Sequence, residues 1–331
     1  MKKNLKSVVL ILVLLANFGK SQDFHLSLYD AGPLFLNPAL TGVIDSKYRL
    51  HGQYRNQWSS VAFKPFTTAL FSFDMPKKKW GYGFQVINMR AGLGNYNVFQ
   101  ATGSLGYSVP IDKNHYHDLC FGLQGGFTQK SVEYKLYSFD EQYSKNDGGF
   151  FDKTVSSGES FNRQSQLLPQ LNAGVLYYYS KQQSRMDPFL GVSGFNLTHP
   201  KETWFDMPNR LPVRINVHGG VRINLSELLF VTPKALYMKQ GSATEQTYAL
   251  DAGYYFKDEK FFVLAGFVYR AKDASIANIG FKKEGYIFKI GYDFNTSSLK
   301  TASKTRGALE LSFTYTPGKE KFNGVKNCPR I

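Results

Sequence analysis

The chain has 331 residues, enough for one large domain or two modest ones. Aromatic residues make up 16% of it, with 21 Tyr and 28 Phe beside 30 Gly, a mix rich in strand formers and unlike that of helical proteins. The formal charge of +15 fits anionic surroundings or an acidic partner. A mean hydropathy of −0.31 does not exclude a membrane protein, because every second residue of a barrel strand faces a wet lumen.

In chain order, the first feature is an export signal over residues 1–21. Lys2, Lys3 and Lys6 form a basic start, Val8 to Ala16 a short apolar core, and Gly19 and Ser21 a small-residue cleavage site before Gln22. The apolar run is about nine residues, well short of the roughly 20 that a spanning helix needs. Removing Lys2, Lys3, Lys6 and Lys20, with no acid, takes the formal charge from +15 to +11. An exported basic chain meets anionic lipid, an acidic partner or an anionic solute; nucleic acid is not its partner. Cys120 and Cys328 are too few and too distant to form a disulfide framework.

Residues 22–46 are too irregular for a membrane strand. Asn37-Pro38 and Thr41-Gly42 are turn signals, and the segment is predicted to be a periplasmic or lumenal lead-in, tucked against a barrel or into its lumen.

From residue 47 to residue 316 the pattern alternates with period two, the primary strand signal. Tyr286, Phe288, Ile290, Tyr292 and Phe294 share one face, opposite Ile287, Lys289, Gly291 and Asp293. Leu309, Leu311, Phe313 and Tyr315 lie opposite Ala308, Glu310, Ser312 and Thr314. About fourteen such segments are predicted: 47–56, 66–74, 80–89, 96–108, 118–134, 170–180, 188–197, 213–224, 228–239, 246–257, 260–271, 275–283, 285–295 and 307–316. Most are near the ~9–11 residues of a tilted membrane strand. Connections after even segments are short, as at Met75–Lys79 and Asp258–Glu259, whereas Leu136–Pro169 and Thr198–Pro212 follow odd ones. This is the asymmetry of an all-β, up-and-down outer-membrane barrel of antiparallel strands with both termini on one side. A soluble β-sandwich also alternates, but it does not call for aromatics at strand ends such as Trp80, Tyr107, Tyr177, Tyr254, Tyr292 and Tyr315, which suit interfacial girdles. Residues 317–331 form a C-terminal tail.

No catalytic constellation appears. The sequence has no G-x-S-x-G elbow, P-loop or dinucleotide fingerprint, and no cofactor or metal is implied. His115 and His117, the one close histidine pair, read as a solvated turn. Arg214, Arg222, Lys289, Asp251, Asp293 and Glu310 fall on polar strand faces, where mutual pairing in a packed lumen is favoured over a selective pore.

The most specific motifs are N-terminal. After Gln22-Asp23 come Asn37, Pro38 and Ala39 with Gly42, then Tyr54, Arg55, Asn56, Gln57 and Trp58. In order and spacing these resemble the PorP/SprF membrane proteins of the Bacteroidota type IX secretion and gliding machinery. The resemblance implies an outer-membrane barrel that supports export or surface anchoring of a large secreted adhesin-like protein. Its implied partners are periplasmic components of the machinery, the secreted client and outer-membrane lipids. Asn37, Pro38, Gly42 and Tyr54 to Trp58 are the implied family-motif residues, structural or partner-binding. The tail after Tyr315 departs from the usual barrel ending, in which an aromatic of the last strand closes the chain. The rival function is an outer-membrane channel or transporter for small solutes, open to a barrel of this size only if its lumen is clear.

Overall fold

The computed structural model describes residues 24–59, 64–92, 94–114, 116–145, 149–159, 164–181, 184–204, 209–297 and 300–318. The export signal, His115, Cys328 and the tail beyond residue 318 lie outside these.

Fourteen antiparallel strands close into a barrel. They are β1 (Arg49–Gln57), β2 (Phe66–Lys77), β3 (Trp80–Ala91), β4 (Tyr96–Pro110), β5 (His117–Ser131), β8 (Ser165–Tyr179), β9 (Met186–Phe195), β10 (Arg214–Asn224), β11 (Leu229–Gln240), β12 (Ala243–Phe256), β13 (Phe261–Arg270), β14 (Ala274–Lys283), β15 (Tyr286–Asn295) and β16 (Arg306–Tyr315). The two remaining strands, β6 (Tyr143–Ser144) and β7 (Phe150–Phe151), make a small hairpin within the connection from β5 to β8. Each wall strand pairs with its neighbours in sequence, and β1 pairs with β16 from Leu50–Tyr315 to Gln57–Ala308, which removes the last open edge. In a bilayer that closure is obligatory, because lipid offers no partner to an unpaired N–H or C=O. No helix among the described residues is long and apolar enough to cross a membrane.

All fourteen predicted segments overlap a wall strand. The largest displacement is at β8, which begins at Ser165 rather than at residue 170. Pro169 does not break it, because β9 has ended at Phe195 and the β8–β9 ladder runs only from Ala173–Gly194 to Tyr178–Phe189. Above that point contacts with the following loop bridge the seam: Thr198 Oγ1 donates to the Pro169 carbonyl at 2.7 Å, and Gln166 Nε2 of β8 to that of Thr203 at 2.6 Å.

Alternation sorts side chains between lipid and lumen. On β12, Tyr248, Leu250, Tyr254 and Phe256 are exposed outward, while Glu245, Thr247 and Ala249 are buried inward. The girdle is visible in ring pairs such as Trp80–Tyr107 at 4.6 Å and Tyr286–Tyr315 at 4.5 Å. Connections 132–164, 196–213 and 296–305 emerge at one end, the long-loop rim. The other end, the short-turn rim, carries the tight turns, the entry to β1 and the exit from β16, where Ser46 Oγ donates to the Pro317 carbonyl at 2.5 Å.

Leu250 sits mid-strand on the outer face and is 52% exposed. Leu250→Arg is expected to lower unfolding free energy in lipid vesicles by about 2–4 kcal/mol, the cost of a cation near the bilayer midplane. Leu250→Phe is expected to change it little. Urea titration of the folded barrel distinguishes the two.

Candidate functional site: a lumen filled by the chain's own N-terminal segment

Residues 24–43 lie inside the barrel, and 44–46 lead out to the short-turn rim. Leu26, Ser27, Leu28, Tyr29, Asp30, Leu34, Leu36, Asn37, Ala39, Leu40 and Thr41 are all buried. The segment starts near the long-loop rim, where His25 Nδ1 is 3.5 Å from Glu245 at the start of β12. It descends to Asp30, beside Lys234 in mid-β11. A four-residue helix, Pro33–Leu36, carries it back toward Arg214, whose guanidinium lies 5.1 Å from the Phe35 ring centroid. A 3-10 turn, Pro38–Leu40, then sends it down to the short-turn rim and into β1. The described part of the segment predicted as a periplasmic or lumenal lead-in is enclosed by the wall; residues 22 and 23 lie outside the described residues.

Two kinds of contact hold it. The first is ionic. Arg55 on β1 is opposite Glu310 on β16 in register. Its guanidinium is 3.1 Å from Glu310 and 2.9 Å from Asp293 on β15, and it also donates to the Ser27 hydroxyl. Glu310 in turn accepts the backbone N–H groups of Ser27 and Leu28 at 2.8 and 2.9 Å. Gln53 Nε2 donates to Glu310 at 2.5 Å and to the Leu28 carbonyl at 3.1 Å. A guanidinium shielded from water needs such partners, since an unpaired buried charge costs several kcal/mol. Lower in the lumen, Lys234 binds both Asp30 and, at 2.8 Å, Asp251, which Lys289 approaches at 3.4 Å. Burial alone would raise the Asp30 pKa; the ammonium groups of Lys234 and Lys289 outweigh it and hold that pKa well below the ordinary carboxylate range.

The second kind is close backbone packing. Asn37 Oδ1 accepts the N–H of Ala39 at 2.9 Å and so starts the 3-10 turn, in which Pro38 has a pre-set φ and no N–H to lose. The Asn37 amide donates to the Val175 carbonyl at 3.1 Å and lies 3.1 Å from His218 Nε2. A side chain on Gly122 would collide with the Pro38 and Ala39 backbone, so β5 must be bare there. Gly42 has φ +74° and packs on Gly81 of β3, while its N–H donates to Asp74 at 2.8 Å. Asp74 also binds Arg49 at 2.8 Å.

The predicted motif residues therefore separate. Asn37, Pro38, Gly42 and Arg55 converge on the lumen. Tyr54 points outward and is 44% exposed. Asn56 shares its face, half-buried. Gln57 is the last residue of β1. Trp58, with φ +60°, ends the strand; its ring packs at a tilt on Phe66 with centroids 4.8 Å apart, and its backbone N–H donates to the Gly307 carbonyl at 3.1 Å. Of the predicted lumenal charges, Asp251, Lys289, Asp293 and Glu310 take part in these networks. Arg214 and Arg222 lie over the rings of Phe195 and Phe230, at 4.4 and 3.8 Å from their centroids. His218 falls on the polar face of its strand with Arg214 and Arg222, but nothing in the sequence marks it as an Asn37 partner. Ser27, Asp30, Gln53, Asp74 and Lys234 are additional; for Gln53 the period-two polar face of β1, His51-Gln53-Arg55, is the available signal. No group of three or more metal-ligating side chains occurs among the described residues.

A closed wall with an apolar exterior and a polar, occupied interior defines an outer-membrane β-barrel. Residues 18–315 match the family described as type IX secretion system membrane protein PorP/SprF, and the chain belongs to that family. Among solved structures it is similar to the toluene transporter TbuX of Ralstonia pickettii (9% identity, 87% of this chain and 95% of that one, TM-score 0.51). It is also similar to the deltaS2S3 mutant of the monoaromatic hydrocarbon channel TodX (9% identity, 86% and 93%, TM-score 0.52). At such identities the likeness is one of fold. No curated protein sequence matches the chain.

Arg55→Ala leaves buried Glu310 without its cation and Asp293 with only Arg270 at 3.4 Å, and a loss of about 3–5 kcal/mol is expected. Heat-modifiable gel mobility, which reports barrel unfolding, should shift to markedly lower temperature. The Asp30 contribution is present above the unfolded carboxylate pKa of about 3.9 and is lost as pH falls through the lower folded value. Stability measured from pH 7 downward is therefore expected to decline below about pH 4, and Asp30→Asn to flatten that decline.

Proposed function

We propose that the protein is a non-enzymatic outer-membrane component of type IX secretion that supports export or surface anchoring of a large secreted adhesin-like protein, in the setting of gliding motility. Family membership supports the secretion role. The observation that carries the reading is the occupied lumen: a barrel whose interior is bonded to its own residues 24–43 through Arg55, Lys234 and Asn37 is built as a rigid platform rather than as an open conduit. In this reading the long-loop rim faces the cell exterior and meets the client, and the short-turn rim faces periplasmic components of the machinery. The motif residues Asn37, Pro38, Gly42 and Arg55 fix the lumenal segment, whereas Tyr54, Asn56, Gln57 and Trp58 shape the wall and the outer rim. A small-solute channel is the rival reading.

Deleting the gene and quantifying surface proteins tests the proposal. Selective loss of one large secreted protein from the surface is the expected result; an unchanged surface proteome would sink it. The purified barrel in planar bilayers is expected to carry no large steady current, and such a current would favour the channel.

A further inference from the structure

On the outer wall, from the short-turn girdle toward the membrane interior, the lipid-facing surface of β3 to β10 is hollowed. One depression of about 570 Å³ runs from Trp80 and Tyr107 across Phe121 and Val175 to Val192 and Ile215. A second, of about 390 Å³, adjoins it at Leu105 and Leu123. The hollows exist because outward positions there are small: Gly103 and Gly125 in one, Ala173 and Gly194 in the other. A Cβ on Gly125 would touch nothing. The larger depression crosses β3, β4, β5, β8, β9 and β10, about 24 Å at ~4.8 Å per strand step.

Its short-turn end is charged. Lys77 is the register partner of Trp80, and Lys78 and Lys79 form the turn between them. All three are exposed, and none has an ionic or hydrogen-bonding side-chain partner among the described residues. Three unpartnered ammonium groups thus stand beside an aromatic pair at the membrane interface, at the end of an apolar trough. A positive site continuous with a hydrophobic trough matches a molecule with an anionic head and a hydrocarbon tail.

We infer that this face of the barrel holds an anionic glycerophospholipid of the short-turn-side leaflet, its phosphate at Lys77, Lys78 and Lys79 and an acyl chain in the trough between Trp80 and Ile215. Lipid retained here would cover the outward small residues Ala173 and Gly194 beside the short β8–β9 ladder.

The test is native mass spectrometry of the full barrel released from detergent after exchange with phosphatidylglycerol or phosphatidylcholine. Wild type is expected to retain phosphatidylglycerol preferentially. Replacing the three lysines by glutamine (K77Q, K78Q, K79Q) should erode that preference by roughly five-fold per lysine. Ala173→Phe, which fills the trough without touching the lysines, should reduce retention of both lipids. Heat-modifiable mobility confirms that each variant is folded. Equal retention of the two lipids by wild type, or unaltered retention by both variants, would overturn the inference. So would a lipid-free dimer that Ala173→Phe abolishes, because the trough would then be an interface between barrels.

Discussion

Arg55 lies where three parts of the chain meet: the first strand, the last two strands and the segment that precedes them all. Its guanidinium is shared by Glu310 and Asp293, and Glu310 is at the same time the acceptor for two backbone N–H groups of the lumenal segment. The closing seam of the wall and the anchoring of the interior are therefore one hydrogen-bonded cluster. Removing it from water is costly, and the cost is offset only when all partners are in place together. This makes the cluster an all-or-none element, and the closed wall and the filled lumen depend on each other through it.

The second half of the lumenal segment is held differently. From Asn37 to Gly42 the chain presses its backbone against bare stretches of β3 and β5. Such contact has little tolerance for added volume, so it specifies residues by what they lack. The ionic half tolerates geometry but not neutralisation; the packed half tolerates charge elsewhere but not a methyl group. Together they fix a segment with only seven residues in regular turns.

Much of the wall was legible in the sequence. Period-two alternation located all fourteen strands, and the placement of long connections after odd strands gave the even count. Asn37-Pro38 and Thr41-Gly42 were readable as turns. Their destinations were not, because two of the Asn37 partners are backbone carbonyls of Val175 and Val192, which leave no side-chain signature, and the third, His218, lies 181 residues away. The β6–β7 hairpin was equally invisible, being two residues long on each side. Lys234 and Asp30 stand on elements about two hundred residues apart, and nothing local marks them as a pair.

The position of residues 24–46 also bears on how the wall can open. Ser27 and Leu28 donate to Glu310 on β16, and Asp30 binds Lys234 on β11, so the start of the chain is tied to strands far along it. Parting the seam between Leu50–Tyr315 and Gln57–Ala308 separates Arg55 from Glu310 and so loosens the same cluster that holds Ser27. The lumenal segment is in this sense a latch on the seam as well as a filling for the barrel.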